Sequence, residues 1–225
     1  RWEAGQQLSV QVLQELIGQH QRGEALALDE RLIEAMRSLL QNETLDAAMV
    51  AEMLSLPGEA YLTEISEVAD VDAIHAAREF ARKRIADALF EPLWHRYQAN
   101  RETSRNTAYV ASAEHFARRA LQNIALSYLM LSEKTEVLEA CLEQFEHADN
   151  MTERLTALAV LVNSPFEAER DKALQAMKDA GKTEFHELTP EEKEAWRAAL
   201  LPVREEMAGR IGADLIKSIE AATAQ

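Results

Sequence analysis

Six histidines, one cysteine and several adjacent glutamates are the residues of this 225-residue chain that could do chemistry, so their spacing is the first test. A zinc-hydrolase helix needs H-E-x-x-H, two histidines one turn apart, so that both imidazoles reach the same metal. His186-Glu187 starts that pattern, but Leu188-Thr189-Pro190 follows: no second histidine arrives, and the proline breaks the helix required. His20, His75, His95, His115 and His147 are scattered, none with another at i, i+4, and each reads as an ordinary surface or half-buried side chain. No G-x-S-x-G turn is present to present a nucleophilic serine. Cys141 lies beside Leu138 and Leu142 with no polar setting to lower its pKa, and reads as a small buried hydrophobe. Gly209 and Gly212 stand inside a helical pattern rather than in a phosphate-binding loop. Glu191-Glu192 and Glu205-Glu206 are neighbours in sequence, so they leave a helix in different directions as solvent-facing charges. The residues themselves therefore nominate no catalytic, cofactor-binding or metal-ligating position, and the chain is not expected to be an enzyme by itself.

Charge narrows the partners. Thirty-nine acidic against 24 basic residues leave a formal charge of −15, which disfavours a nucleic-acid backbone. The densest basic cluster, Arg78, Arg82, Lys83 and Arg84, alternates with Glu79 and Asp87 and reads as a solvated helix face in preference to a binding patch. Phe90, Trp94 and Tyr97 at helical spacing could line a groove, but a core stripe is the preferred reading. No apolar run approaches bilayer-spanning length, so no membrane partner is expected. A single cysteine excludes an intramolecular disulfide and fits a reducing compartment; the cytoplasm is the expected location. Arg1-Trp2-Glu3 is neither a signal peptide nor an initiator methionine, and the chain reads as a piece of something longer.

The elements that would position these residues are all helical. Ala, Leu, Glu, Arg and Gln dominate, with 7 Gly and 5 Pro supplying little turn material. The organising stretch is Asn106 to Leu131, where Ala108, Ala111, Phe116, Ala120, Ile124, Leu126, Tyr128 and Leu129 form an apolar stripe interleaved with Arg118, Arg119 and Gln122. Before it, Trp2–Gln19 carries Leu8, Val12, Leu13, Leu16 and Ile17. Asp29 caps a second helix, Thr44 opens a third through Met53, and Ser55-Leu56-Pro57 restarts the chain. Asp70 caps the longest run, Val71 to Ala99, with Ile74, Ala77, Phe80, Ala81, Ile85, Leu89, Leu93 and Tyr97 inward; Pro92 should kink it or end it near Glu91. Arg101 to Thr107 reads as a loop. Ser132–Phe145, a helix opened by Asp149-Asn150 and another by Ser164-Pro165 follow. Gly181 is placed to end a helix in a left-handed conformation, and Thr189-Pro190-Glu191-Glu192 is a capping-box start. Pro202 should bend that last helix, and Gly209 and Gly212 weaken it before Leu215, Ile216 and Ile219. No fixed period recurs. The expected fold is all-α, an irregular α-α superhelix of stacked antiparallel helix pairs.

A family resemblance extends this. Arg1-Trp2-Glu3-Ala4-Gly5-Gln6, Leu54-Ser55-Leu56-Pro57-Gly58-Glu59, Asp70-Val71-Asp72-Ala73-Ile74-His75, Tyr97-Gln98-Ala99-Asn100, Arg119-Ala120-Leu121-Gln122-Asn123 and His147-Ala148-Asp149-Asn150-Met151-Thr152 follow one another in an order and spacing. In this, residues 1–172 resemble part of the C-terminal helical domain of bacterial aminopeptidase N, the zinc-dependent M1 peptidases. The resemblance implies a non-catalytic superhelical domain that caps the active-site chamber and gates peptide access, with the peptidase catalytic domain as its partner. That family's H-E-x-x-H, its G-A-M-E-N segment and the later N-P-N-R stretch are absent, so no catalytic or substrate contact carries over.

Residues 173–225 form a helical tail, broken near 181–188, that resembles something else. Met177-Lys178-Asp179-Ala180-Gly181-Lys182-Thr183-Glu184, Leu188-Thr189-Pro190-Glu191-Glu192, Trp196, Pro202-Val203, Gly209-Arg210-Ile211-Gly212 and Leu215-Ile216 are similar to the C-terminal end of the periplasmic solute-binding receptors of TRAP dicarboxylate transporters. The junction suggests a recombined or artificial chain. An engineered or recombined helical scaffold or interaction module without activity is accordingly the alternative expectation. A solute-binding protein would need a two-lobed α/β body that this composition does not support.

Overall fold

In a computed structural model the chain is described over residues 2–106, 111–179, 181, 186 and 188–211, with the side chains of 102–106 and 204–211 left aside. Among the described residues there is no strand. The helices are α1 (Trp2–Gln21), α2 (Glu30–Gln41), α3 (Ala47–Leu54), α4 (Glu59–Ile65), α5 (Val71–Ala88), α6 (Phe90–Asn106), α7 (Ala113–Leu129), α8 (Thr135–His147), α9 (Met151–Val162), α10 (Glu167–Asp179) and α11 (Pro190–Ile211), with a 3-10 turn at Met130–Ser132 between α7 and α8. None of these helices is long and apolar enough to cross a membrane. Two compact units are present, Arg1–Ala176 and Met177–Gln225.

The helix starts follow local chemistry. Asp29, Asp70 and Asn150 each turn a side-chain oxygen onto the backbone N–H of Arg31, Ala73 and Glu153, as their positions before apolar runs predict. Thr189 and Glu192 close the reciprocal capping box: the Glu192 carboxylate accepts from the Thr189 N–H at 2.8 Å, and the Thr189 hydroxyl accepts from the Glu192 N–H at 3.2 Å. Gly181 has φ +62°, the left-handed geometry expected at a helix end.

Other starts differ from the pattern. Asp46 rather than Thr44 caps α3, because Thr44 is already tied to the Asn42 side chain. Ser55 closes α3 instead of opening α4; its hydroxyl donates back to the Ala51 carbonyl, and Gly58 precedes α4. α8 begins at Thr135 and α10 at Glu167. The long run from Val71 divides at Leu89, and Pro92 falls in the first turn of α6, where its missing N–H leaves no bond unmade. α6 then runs on to Asn106, so 101–106 is helix rather than loop. α11 continues through Pro202 to Ile211. Thr107, Ala108, Lys182–Phe185, Glu187, Gly212, Leu215, Ile216 and Ile219 lie outside the described residues.

Unit Arg1–Ala176 is built on α7. It packs against α6 and α3 and touches α9; α1 lies on α5, and α8 pairs with α9. Ile74, Ala77, Ala81, Ile85, Leu89, Leu93 and Tyr97 are all buried, as their spacing predicts, and Phe80 packs at the core's edge. The stripe on α7 is displaced from expectation in its first half. Phe116 is 53% exposed and Ala111 and Ala120 face solvent, while Ala117, Leu121, Ala125, Leu126, Tyr128 and Leu129 point inward. Arg119 and Gln122, interleaved with that stripe in the sequence, are buried.

What holds Gln122 inside is Gln144 on α8. The Gln144 carbonyl oxygen accepts from the Gln122 amide at 2.9 Å and from the Tyr97 hydroxyl at 3.2 Å, and its amide donates to Asn123 Oδ1 at 3.1 Å and to the Glu153 carbonyl at 3.0 Å. One side chain thus ties α6, α7, α8 and α9. On α7's other end the buried Tyr128 hydroxyl donates to the Leu54 carbonyl of α3 at 2.7 Å.

Replacing Gln144 by leucine keeps the volume and strands the buried Gln122 amide and Asn123 Oδ1, while the Tyr97 hydroxyl keeps the Ala140 carbonyl at 3.2 Å. A stranded buried polar group costs about 1–3 kcal/mol, so Gln144→Leu should lower unfolding free energy by about 3 kcal/mol or more in urea titrations followed by circular dichroism. Leu155→Ala on the exposed side of α9 should cost less than about 1 kcal/mol.

Candidate functional site

The residues with intrinsic chemistry do not converge. Among the described residues no group of three or more His, Cys, Asp or Glu side chains is arranged to hold a metal. His75 pairs with Glu59 at 2.9 Å and His186 with Glu192 at 3.0 Å, both at the surface. His115 bonds the Ser112 hydroxyl at 2.8 Å inside the α7 cap. His95 is 3.9 Å from Glu43, and His147 is 3.8 Å from its neighbour Glu146. Cys141 is fully buried against the Ala157 carbonyl, and burial pushes its thiol up to about 12 from 9.0.

Three residues of the basic cluster are spent on the fold, and Arg84 is exposed. Arg78 donates to the Pro57 carbonyl at 3.0 Å, Arg82 pairs with Glu79 at 2.8 Å, and Lys83 reaches the Leu131 carbonyl at 2.6 Å and Asp87 at 3.3 Å. The aromatic stripe on α6 is core. Phe90 and Trp94 stack at 6.1 Å between centroids, Trp94 and Tyr97 at 5.7 Å, and the Lys134 ammonium covers the Phe90 ring.

Concave regions among the described residues of unit Arg1–Ala176 include three large ones. One lies between α1 and α4 and is walled by apolar and amide side chains, with Trp2 and Tyr61 half exposed at its rim and a volume of about 560 Å³. A second, of about 570 Å³, runs from His75, Glu79 and Arg82 to the outer face of α9, which turns Met151 and Leu155 to solvent. The third, about 730 Å³, opens between the starts of α3 and α7 and the middle of α6, and Arg96 lines it. Arg96 is 8% exposed and its Nε has no hydrogen-bond partner. Sequence reasoning missed this residue: one arginine on an amphipathic helix reads as surface, and the residues around it lie some fifty positions earlier or twenty later.

Comparison with known proteins supplies what the side chains do not. Residues 1–187 match the family model described as a domain of unknown function (DUF3458_C), ARM repeats. Aminopeptidase N of Escherichia coli is 31% identical over 179 residues, covering 80% of this chain and 20% of that protein. Aminopeptidase N of Caulobacter vibrioides is 33% identical over 185 residues, covering 82% and 20%. A crystal structure of Legionella pneumophila aminopeptidase A in complex with aspartic acid shares the fold, with a TM-score of 0.63 at 24% identity over 78% of this chain and 21% of that one. A 57-residue stretch is 65% identical to the C4-dicarboxylate-binding periplasmic protein DctP of Rhodobacter capsulatus, 25% of this chain and 17% of that protein. The chain spans about a fifth of the length of the aminopeptidases it matches.

The Cys141 environment gives a direct check. Its thiol should not react with an aromatic disulfide reagent at pH 8 while the chain is folded, and should react stoichiometrically in denaturant. Above pH 9 the unfolded thiol ionises and the folded one does not, so stability should fall as pH rises from 9 towards 12. Burial raises the Tyr128 hydroxyl as well, against the pull of Arg82 and Arg78, and acts in the same direction.

Proposed function

Because the chain belongs to the DUF3458_C family of ARM-repeat domains, we propose that it serves as the helical cap of an aminopeptidase of the M1 kind, closing the active-site chamber and gating peptide entry. The observation that carries this is the family match over residues 1–187, joined to relatives named aminopeptidase N in which the matching part makes up about a fifth of the protein. The matching part is the C-terminal helical domain of those enzymes, outside their catalytic part. In this reading the chain contributes walls and selectivity, and bond cleavage belongs to the catalytic domain it docks on. The cytoplasm is the proposed location.

The surface supports a docking role. Trp2 and Tyr61 are about half exposed beside the groove between α1 and α4, an arrangement that gains from cover by another protein surface. A wall of stacked helices suits gating, since its openings are set by rigid helix spacing rather than by loop position. The 57-residue stretch shared with a dicarboxylate-binding protein favours a second reading, a recombined helical scaffold without a peptidase partner.

Binding to an aminopeptidase N trimmed of its helical domain separates the two, with hydrolysis of an aminoacyl reporter followed in parallel. The cap reading expects saturable binding that alters turnover, weakened by at least about tenfold, or about 1.4 kcal/mol, in Trp2→Ala with Tyr61→Ala. The free chain should also bind an apolar dye more strongly than ordinary monomers do. No binding, by a chain that circular dichroism shows to be helical and cooperative, would leave the scaffold reading.

A further inference from the structure

The groove between α3, α6 and α7 holds a buried cation that the fold does not use. Arg96 is more than nine-tenths buried and lines the groove, yet its Nε meets no acceptor, and among the described residues no carboxylate stands within ion-pair distance of it. Taking a guanidinium N–H out of water without giving it an acceptor is costly, and a group retained in that state is suited to receive one. The starts of α3 and α7 open on the same groove through Ala47 and Ala113, so helix N-termini add positive potential near it.

The remaining lining narrows the ligand. Glu114 and Arg118 pair with each other and cancel. Glu43, whose nearest partner is the exposed His95 imidazole at 3.9 Å, and Asp46 are left, Asp46 with only one oxygen committed to the Met49 N–H at 2.9 Å. One unpaired guanidinium and two carboxylates thus share a space of about 730 Å³. A simple anion would satisfy Arg96 and be repelled by Glu43 and Asp46; a simple cation would leave Arg96 unpaired. A molecule carrying both charges satisfies both ends, and the volume suits an amino acid or a short peptide. We propose that this groove binds the zwitterion of a free α-amino acid or short peptide, its carboxylate on Arg96 and its ammonium between Glu43 and Asp46. The binding is independent of any cap role, since every residue it uses belongs to this chain.

Calorimetric titration of the whole chain with leucine and with trialanine tests this and tells the two sources apart. Each probe is paired with its N-acetyl and its C-terminal amide form. Binding is expected for at least one free zwitterion, with each blocked form weaker by at least about tenfold. Arg96→Gln should lose binding to the same extent, with a thermal midpoint no lower than that of the unaltered chain, because no hydrogen bond or ion pair is broken. Glu43→Gln, at a side chain 66% exposed and safe to alter, should weaken the free zwitterion several-fold and leave the N-acetyl form unchanged. Absence of heat with all probes at millimolar concentration, equal affinity for free and blocked forms, or full binding by Arg96→Gln would each overturn the proposal.

Discussion

The amide of Gln144 is the constraint on which the first unit depends. Apolar burial draws helices together but says little about which way they are turned, because one leucine face is nearly as good as the next. A buried amide is selective. It has two donors and an acceptor to satisfy, and an unmade bond inside the protein costs more than a slightly poorer fit of methyl groups. Gln144 meets Tyr97 from α6, Gln122 and Asn123 from α7, and the Glu153 carbonyl from α9. Only one rotation of each helix brings those atoms together. Small residues help: Ala117 and Ala125 on α7 and Ala140 on α8 are buried, and they let the backbones come close enough for amide side chains to bridge.

The same hub explains why α7 turns as it does. Two apolar stripes can be drawn on its first half, one through Phe116 and Ala120 and one through Ala117 and Leu121. By hydrophobicity the first is better. It loses because choosing it would carry Gln122 and Asn123 away from Gln144. Phe116 is left outside, where the Arg119 guanidinium lies 5.1 Å from its ring centroid. The hydrophobic term given up is that of one aromatic ring, and the polar term kept is a set of buried hydrogen bonds.

That contest marks what can be read from one sequence. The face of α5 and α6 from Ile74 to Tyr97 is legible because its inner positions are apolar throughout and no polar partner overrules them. The caps at Asp29, Asp70, Asn150 and Thr189 are legible because capping is settled within four residues. The start of α3 was misplaced because Asn42 took the Thr44 side chain for itself. The turn of α7 was hidden for a further reason: its cause lies on α8, some twenty residues away, and nothing near Gln122 announces it. The Arg96 groove is of the same kind, since its lining comes from three separate segments, 43–48, 96–100 and 113–118. Descent was legible where chemistry was not, through short ordered motifs whose spacing reflects ancestry and not any reaction.

Net charge bears on the groove in a way its lining alone does not. With −15 formal charges over the chain, a free anion approaching Arg96 crosses a repulsive field before it meets the guanidinium, and a free cation is attracted everywhere on the surface and to nowhere in particular. A zwitterion has no net charge. It feels little of that field at distances beyond the Debye length of about 8 Å at physiological salt, and it gains only where positive and negative groups stand a few ångströms apart. The acidic surface therefore acts as a filter that favours the ligand class the groove's own charges select.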